Sequence, residues 1–426
     1  MSETRPATTG SDPAPITDGP PRTLPRSLIV AGFAILLLSY LLNAMDRQVF
    51  FPILPDIRAE YGFSLAEGGT LATGFTLGMA VAGLPTGYLL DRYSRKTVLL
   101  VSIVIFSLGT LATPLSAGFA DMAAYRVISG FGEGMQSAAL FAAVGAYFFH
   151  RRTFALGCTA AAYGTGIFLG PLVGIHFANT FDSWRAPFVL FGASGLIIAV
   201  ITALVVRRSL TERRADQAVV TTVTYDYMPV SPYNRNSIAL AVSSGISGLV
   251  VYGFLGLYPT FLINHLHYTA TQAALASSFV GFGGMLAPLS GWLGDRVNQR
   301  NLLIVTYLAL SATSLLVYQT RVTLGWECLF AFLMGLFSTG ALYTNHNSAL
   351  QRAVRPDQVG RAAGLFITSY YISSAFSGLL FAALVNHLGW SHAGLWQVTL
   401  LPLLAIVALT FARSSLFITA AKQQEA

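Results

Sequence analysis

Charge is what this chain has least of. Among 426 residues only 18 are acidic and 25 are basic, while 54% are hydrophobic. Soluble domains carry about 25% charged residues, and a soluble chain of this length would need far more polar surface. The composition therefore reads as a polytopic α-helical membrane protein. Cysteine is almost missing: Cys158 and Cys328 are the only two, both in or beside apolar stretches, so no disulfide framework is expected. The sequence offers no metal-ligand cluster, nucleotide-binding loop or catalytic triad. That argues against enzymatic chemistry and ATP-driven transport, and no cofactor is expected beyond a proton gradient. Residues 1–27 have no apolar core, so no cleavable signal peptide is expected, and their Pro, Thr and Asp content suggests a disordered tail. The net charge of +7 forms no basic patch, so no nucleic acid partner is expected.

What the chain does have is long apolar runs. Twelve are discernible, near 28–55, 66–90, 97–117, 121–148, 153–178, 185–206, 236–263, 270–293, 301–319, 324–350, 358–386 and 391–416. Crossing a bilayer takes about 20 apolar residues. The expected fold is an all-α membrane protein with twelve transmembrane helices in two pseudo-symmetric six-helix bundles, 28–206 and 236–416. A tail (1–27), a polar central loop (207–235) that opens with Arg207, Arg208, Arg213 and Arg214, and a second tail (417–426) complete the division. Of the 25 Lys and Arg, Arg47 and Arg126 lie inside segments, and Arg58, Arg185 and Arg321 fall on one side. The other 20 fall opposite. That asymmetry places both termini in the cytoplasm, in a cell (inner) membrane. Trp184, Trp326 and Trp390 near outer ends, and Trp292 near an inner one, read as interfacial anchors.

The halves repeat weakly. Gly87-Tyr-Leu-Leu-Asp91-Arg92-Tyr-Ser-Arg95-Lys96 ends segment two, and Gly291-Trp-Leu-Gly-Asp295-Arg296 ends segment eight, 204 residues later. An offset of 207 pairs Pro52 with Pro259, Gly157 with Gly364 and Tyr163 with Tyr370. Two similar halves around a central site are a transporter signature. At the same offset Asp46, Arg47, Arg126 and Glu133 meet Gly253, Phe254, Leu333 and Gly340, so membrane charge is expected in the first half only.

Those charges sit in two segments. Asn43-Ala44-Met45-Asp46-Arg47-Gln48 interrupts the apolar run of segment one. A charge at a bilayer centre costs about 2.5–3.5 kcal/mol on insertion scales, so an adjacent acid and base there read as a substrate or ion pathway. In segment four Arg126, Gly130, Glu133 and Ser137 recur on one helix face. At ~1.5 Å per residue Asp46 and Glu133 lie at similar depth. Two acids and two bases can then meet in one cavity, where mutual pairing makes burial tolerable. Other polar side chains in apolar segments are candidate substrate contacts: Gln136, Tyr163, Tyr252, Tyr343 to Asn347, Tyr370 and Tyr371.

The Gly87–Lys96 loop and its echo resemble the loop signature of the major facilitator superfamily, with Ser94 in place of the usual glycine. The resemblance implies alternating access between two six-helix halves. It also implies a cytoplasmic gate formed by Gly87, Asp91, Arg92, Arg95, Asp295 and Arg296. Asn-x-x-Asp-Arg in segment one, with Arg-x-x-x-Gly-x-Gly-Glu-Gly in segment four, resembles the anion:cation symporters within that superfamily, and Spinster-like transporters almost as well. By that resemblance Asp46 and Glu133 carry coupling protons, Arg47 binds a substrate anion and Arg126 organises the acids. Gln136, Tyr163, Tyr252, Asn345 and Tyr370 complete the expected substrate set. Gly157-x8-Gly166-x3-Gly170-Pro171-x2-Gly174 in segment five is similar to a drug:proton antiporter motif, and its plainer reading is close helix packing at a Pro bend. The expectation is a proton-coupled symporter of a small organic anion, a monomer in the lipid bilayer. The alternative is a proton antiporter exporting a drug-like compound or lysolipid. A sensor on the same fold is a further alternative, which large soluble extensions would favour.

Overall fold

The computed structural model describes residues 25–212, 228–413 and Phe417. Most of the 1–27 tail, the middle of the 207–235 loop with Arg213 and Arg214, and all of 417–426 but Phe417 lie outside the described residues. Every regular element among the described residues is a helix.

The first half contains α1 (Arg26–Tyr61), α2 (Leu65–Arg92), α3 (Arg95–Ala112), α4 (Phe119–Tyr147), α5 (Arg152–Thr180) and α6 (Arg185–Val205). A short α7 (Arg208–Glu212) follows. The second half contains α8 (Arg235–Asn264), then α9 (Ala270–Met285) and α10 (Ala287–Gly294), which together make one span. Next come α11 (Gln299–Gln319) and a span built from α12 (Leu324–Gly335), a π-helical stretch Leu336–Tyr343 and α13 (Thr344–Arg352). After α14 (Val359–Leu388), α15 (Trp390–Ala393), a second π-helical stretch Gly394–Leu400 and α16 (Leu401–Thr410) form the last span.

Local sequence explains the boundaries. Ser64 accepts from the Glu67 amide while the Glu67 carboxylate takes the Ser64 amide, a reciprocal cap that starts α2. Ser94, at the departure from the loop signature, accepts from the Thr97 amide and caps α3. Asn234, Thr269 and Asn298 cap α8, α9 and α11 in the same way. Gly62 ends α1 at φ 70°, a left-handed position that glycine takes without steric cost. Ten of the spans are individually long and apolar enough to cross a membrane. The other two are α2, diluted by Gly and Thr, and α9–α10, which breaks at Leu286 just before Pro288.

Helix pairing repeats between the halves. In the first, α1 packs on α5 and α6, α2 on α4, and α3 on α6. In the second, α8 packs on α14 and α16, α9 on α12, and α11 on the last span. The seam between halves is made by α2 against α14 and by α5 against α9 and α10, two contacts that exchange under the same pseudo-symmetry. Glycines permit both. A Cβ on Gly157 would meet the Ala287 carbonyl at 2.6 Å, and one on Gly364 would strike the Gly83 carbonyl. These are the two glycines that the 207-residue offset pairs.

One end of the bundle gathers the chain's connections. Leu210 packs beside Gly32, Arg235 Nε donates to the Phe411 carbonyl (2.7 Å), and the Arg95 amide donates to Glu212 (3.0 Å). We call this the terminus face. At the opposite end Trp184 is only 5% exposed. It sits in an apolar cluster with Phe188 and donates to Glu60 (2.7 Å), so it is a packing residue rather than the interfacial anchor expected from sequence. Trp326 and Trp292 are exposed.

Candidate substrate and proton site

The site begins with how closely α5 approaches α1. A Cβ on Gly166 would meet the Leu41 carbonyl at 2.6 Å, and one on Gly170 the Met45 carbonyl at 2.7 Å. The glycine motif of segment five is thus packing that lets α1 lie flat on α5. On α4, Gly130 and Gly134 do the same for α2, with the Phe75 and Met79 carbonyls as their neighbours. The charged turns of α1 and α4 are brought together between these contacts.

Arg47 is 4% exposed and every arm of its guanidinium is engaged. Nε donates to Glu133 Oε2 (2.9 Å), one terminal nitrogen to the hydroxyls of Tyr163 and Tyr371 (3.0 Å each), and the other to Asn43 Oδ1 (3.0 Å). Tyr163 belongs to α5 and Tyr371 to α14, so the guanidinium bridges the two halves. Asn43 is held by Gln136 (2.8 Å), and Gln136 by the Ser39 carbonyl (3.2 Å). Burying a charge is tolerated only with this degree of pairing and hydrogen bonding.

Asp46 points the other way along α1. Its Oδ2 accepts from Thr110 of α3 (2.5 Å), which is itself 3.0 Å from Ser129. Asp46 Oδ1 and Glu133 Oε1 are both buried with no hydrogen-bond partner. Arg126 lies in the field of both acids. Its guanidinium sits between the rings of Phe50 (4.4 Å) and Phe75 (4.2 Å), and two of its nitrogens have no acceptor. The four charges foreseen in two segments therefore share one buried cluster.

Toward the seam the cluster opens on a narrow cavity lined by Tyr163, Tyr252, Tyr343, Tyr370, Tyr371, Thr339, Ala160, Val251 and Leu255. Tyr163, Tyr252 and Tyr370, three of the expected substrate contacts, are among its lining. Gln136 is one layer back, supporting Asn43 rather than lining the cavity. Asn345 is a correction. It donates to Ser290 Oγ (2.9 Å) and to the Ala341 carbonyl (2.9 Å), packed against α10 and away from the cavity. The π-helical stretch before it consumes an extra residue and turns the following face by about 100°. Thr110 was missed, because one threonine in an apolar helix carries no pattern. His346 is a buried structural contact, 2.9 Å from Ser243.

The expectation that buried charge is confined to the first half is also corrected. Glu327 in the first turn of α12 is fully buried, accepting from Tyr258 (3.0 Å).

Two acids close the terminus face, each reaching across the seam. Asp91 pairs with Arg361 of α14, where the Gly87 backbone approaches Arg361 closely. Asp295 pairs with Arg352 and accepts from the Thr153 and Phe154 amides (3.0 Å each) at the start of α5. The other expected gate residues sit elsewhere. Arg95 binds the Thr211 and Glu212 carbonyls, Arg296 stacks over Trp292 at 3.7 Å, and Arg92 is exposed. Their spacing in the loop turns them outward from the seam.

Comparison with known proteins agrees with this architecture. The chain is 27% identical over 374 residues to a hexuronate transporter of Bacillus subtilis (strain 168), covering 81% of this chain and 86% of that one. It is 24% identical over 404 residues to the 4-hydroxybenzoate transporter PcaK of Pseudomonas aeruginosa, covering 86% and 89%. The solved structure of the proton:xylose symporter XylE superposes with a TM-score of 0.72 at 16% identity, over 90% of this chain and 95% of that one, a likeness of fold. The sequence profile of the Major Facilitator Superfamily matches residues 36–323 and 240–425. That match takes in most of the chain, and the chain belongs to the major facilitator superfamily of multi-pass membrane transporters.

Proposed function

We propose that this transporter moves a small organic anion together with protons, by rocking its two halves about the Arg47 cluster. The observation that carries the reading is the set of partners around Arg47. A buried cation at the seam holds one carboxylate and two tyrosine hydroxyls from different halves. A substrate carboxylate can take the hydroxyls' place on that nitrogen through a charge-assisted hydrogen bond. Support also comes from the relatives, whose named substrates, hexuronate and 4-hydroxybenzoate, are both organic anions.

In this mechanism the far face opens first. Protons reach Asp46 and Glu133, and Glu133 loosens its hold on Arg47. The substrate anion binds the freed guanidinium, and tyrosines of the second half close over it. The terminus face, taken as cytoplasmic from the distribution of basic residues, then opens as the Asp91–Arg361 pair parts and the Thr153 and Phe154 amides of α5 leave Asp295. Proton release lets Glu133 recover Arg47 and expels the anion.

Purified protein in liposomes tests the proposal. An inward proton gradient is expected to drive accumulation of a labelled carboxylate, with acidification of the vesicle interior reporting the co-transported proton. Failure of every carboxylate tested to accumulate, alongside proton-driven uptake of a lysolipid into everted vesicles, would overturn it.

A further inference from the structure

The outer wall of the second half carries a groove that the transport mechanism does not use. It runs between α8 and α16 at the terminus face and encloses about 500 Å³, a volume in the range of ligand pockets. Ile238, Val242 and Ile246 recur along one face of α8, and Leu404, Val407 and Phe411 line the other side from α16. Between Arg235 and Ile246, α8 rises by about 16 Å at ~1.5 Å per residue. A bilayer's hydrocarbon core is about 30 Å thick, so the groove is as deep as one leaflet.

The first half fills the corresponding place with its own chain. The 207-residue offset pairs Ala239, in the groove, with Gly32. Leu210 of α7 lies on Gly32, where an added Cβ would meet it at 2.5 Å, and it is 2% exposed. No helix follows α16 among the described residues, and Val242 and Val407 stay 50% and 54% exposed.

The mouth of the groove is basic. Arg235 is the only charged residue among its described lining. Its Nε donates to the Phe411 carbonyl (2.7 Å), which ties the guanidinium to both helices, and its two terminal nitrogens have no partner among the described residues. Arg413, also exposed, is fixed nearby: its amide donates to Asn236 Oδ1 (2.8 Å) and its carbonyl accepts from Asn236 Nδ2 (2.9 Å). Asn234 takes the Asn236 and Ser237 amides at the start of α8, so the positive charge here is that of the two arginines.

We propose that this groove holds one anionic phospholipid of the terminus-side leaflet, with an acyl chain between α8 and α16 and the phosphate on Arg235. The groove offers apolar contact to any lipid. The arginines discriminate by headgroup charge, as basic sites between membrane helices do. The proposal is independent of what binds at Arg47.

Native mass spectrometry of the purified full chain, titrated with dioleoyl phosphatidylglycerol or dioleoyl phosphatidylethanolamine, reads the retained lipid directly. One phosphatidylglycerol is expected to be held about tenfold more tightly than phosphatidylethanolamine. Arg235→Gln is expected to erase that preference and Arg235→Lys to keep most of it. Arg92→Gln, exposed on the same face and outside the groove, is expected to keep it in full. Val242→Trp fills the groove and is expected to lose both lipids, with gel filtration showing that each variant folds. Loss of the preference in Arg92→Gln as fully as in Arg235→Gln would mean general attraction to a basic face and would overturn the site. So would lipid retention unchanged by Val242→Trp, or a photoactivatable group on Val242→Cys that labels the chain's own residues after Arg413 instead of lipid.

Discussion

Arg47 and Tyr371 touch across the seam between the halves, guanidinium nitrogen to phenol oxygen at 3.0 Å, with a sequence separation of 324 residues. The cation of one half is thus partly solvated by the other half. Replacing Arg47 with alanine leaves Glu133 buried without its ion-pair partner. Losing one partner of a buried charge pair costs about 2–5 kcal/mol, which is on the order of a hundredfold or more in affinity. Uptake by Arg47→Ala is expected to be abolished, with membrane insertion intact. Tyr371→Phe removes one of the hydroxyls that a substrate carboxylate must displace from Arg47 and is expected to tighten substrate binding by up to about tenfold. Normal uptake by Arg47→Ala would remove the basis of the mechanism.

The two acids call for a different readout. Asp46→Asn and Glu133→Gln keep the shapes and abolish the titration. Each is expected to lose accumulation driven by a proton gradient. Each should still exchange labelled for unlabelled anion across the membrane, because exchange needs no net proton movement. Loss of both activities together would assign these residues to binding or folding instead.

The paired latches on the terminus face are unequal. Asp295 and Arg352 have side chains 10% and 8% exposed, whereas Asp91 and Arg361 are 22% and 34% exposed. Breaking a buried pair by removing one partner costs about 3–5 kcal/mol, and an exposed pair is worth about 1 kcal/mol or less. Arg352 is on the same half as Asp295, so what Asp295→Asn weakens across the seam is the buried carboxylate's hold on the Thr153 and Phe154 amides, and it is expected to open this face more often than Asp91→Asn. A cysteine placed at Thr344, 1% exposed in the closed form, reports the opening through its rate of maleimide labelling. Equal labelling in the two variants would contradict the ranking.

Closure also depends on backbone contact. A Cβ on Gly83 would meet the Gly364 carbonyl at 2.6 Å and the Thr368 amide at 2.7 Å, atoms that cannot swing aside. Gly83→Val is expected to wedge α2 from α14 and hold the terminus face apart. The same Thr344 cysteine should then label rapidly whether or not substrate is present, and accumulation should fall to background. Slow labelling in that variant would show that the helices can repack around the added methyls.

Much of this was legible in the sequence. Apolar runs showed the spans, and the repeated Asp-Arg loops and the Gly157–Gly364 pair showed the halves. The four charges identified their own helices because charge in hydrocarbon is costly enough to be rare where it has no role. The failures share a cause. Asn345 was misplaced because a π-helical stretch shifts helix phase without a marker in composition. Arg361 and Arg352, the bases that pair with the loop acids, lie far away in the chain and look like ordinary basic residues at helix ends. Trp184 shows the converse: its position near a segment end suggested the interface, and packing against Phe188 took it inside.

The exposed latch has a consequence for ionic conditions. At physiological ionic strength the screening length is about 8 Å, so dissolved ions weaken Asp91–Arg361 and scarcely reach Asp295–Arg352. Raising salt on the terminus side alone loosens one hinge pin and spares the other. The resting balance between the two openings is therefore set partly by the electrolyte of the compartment that side faces.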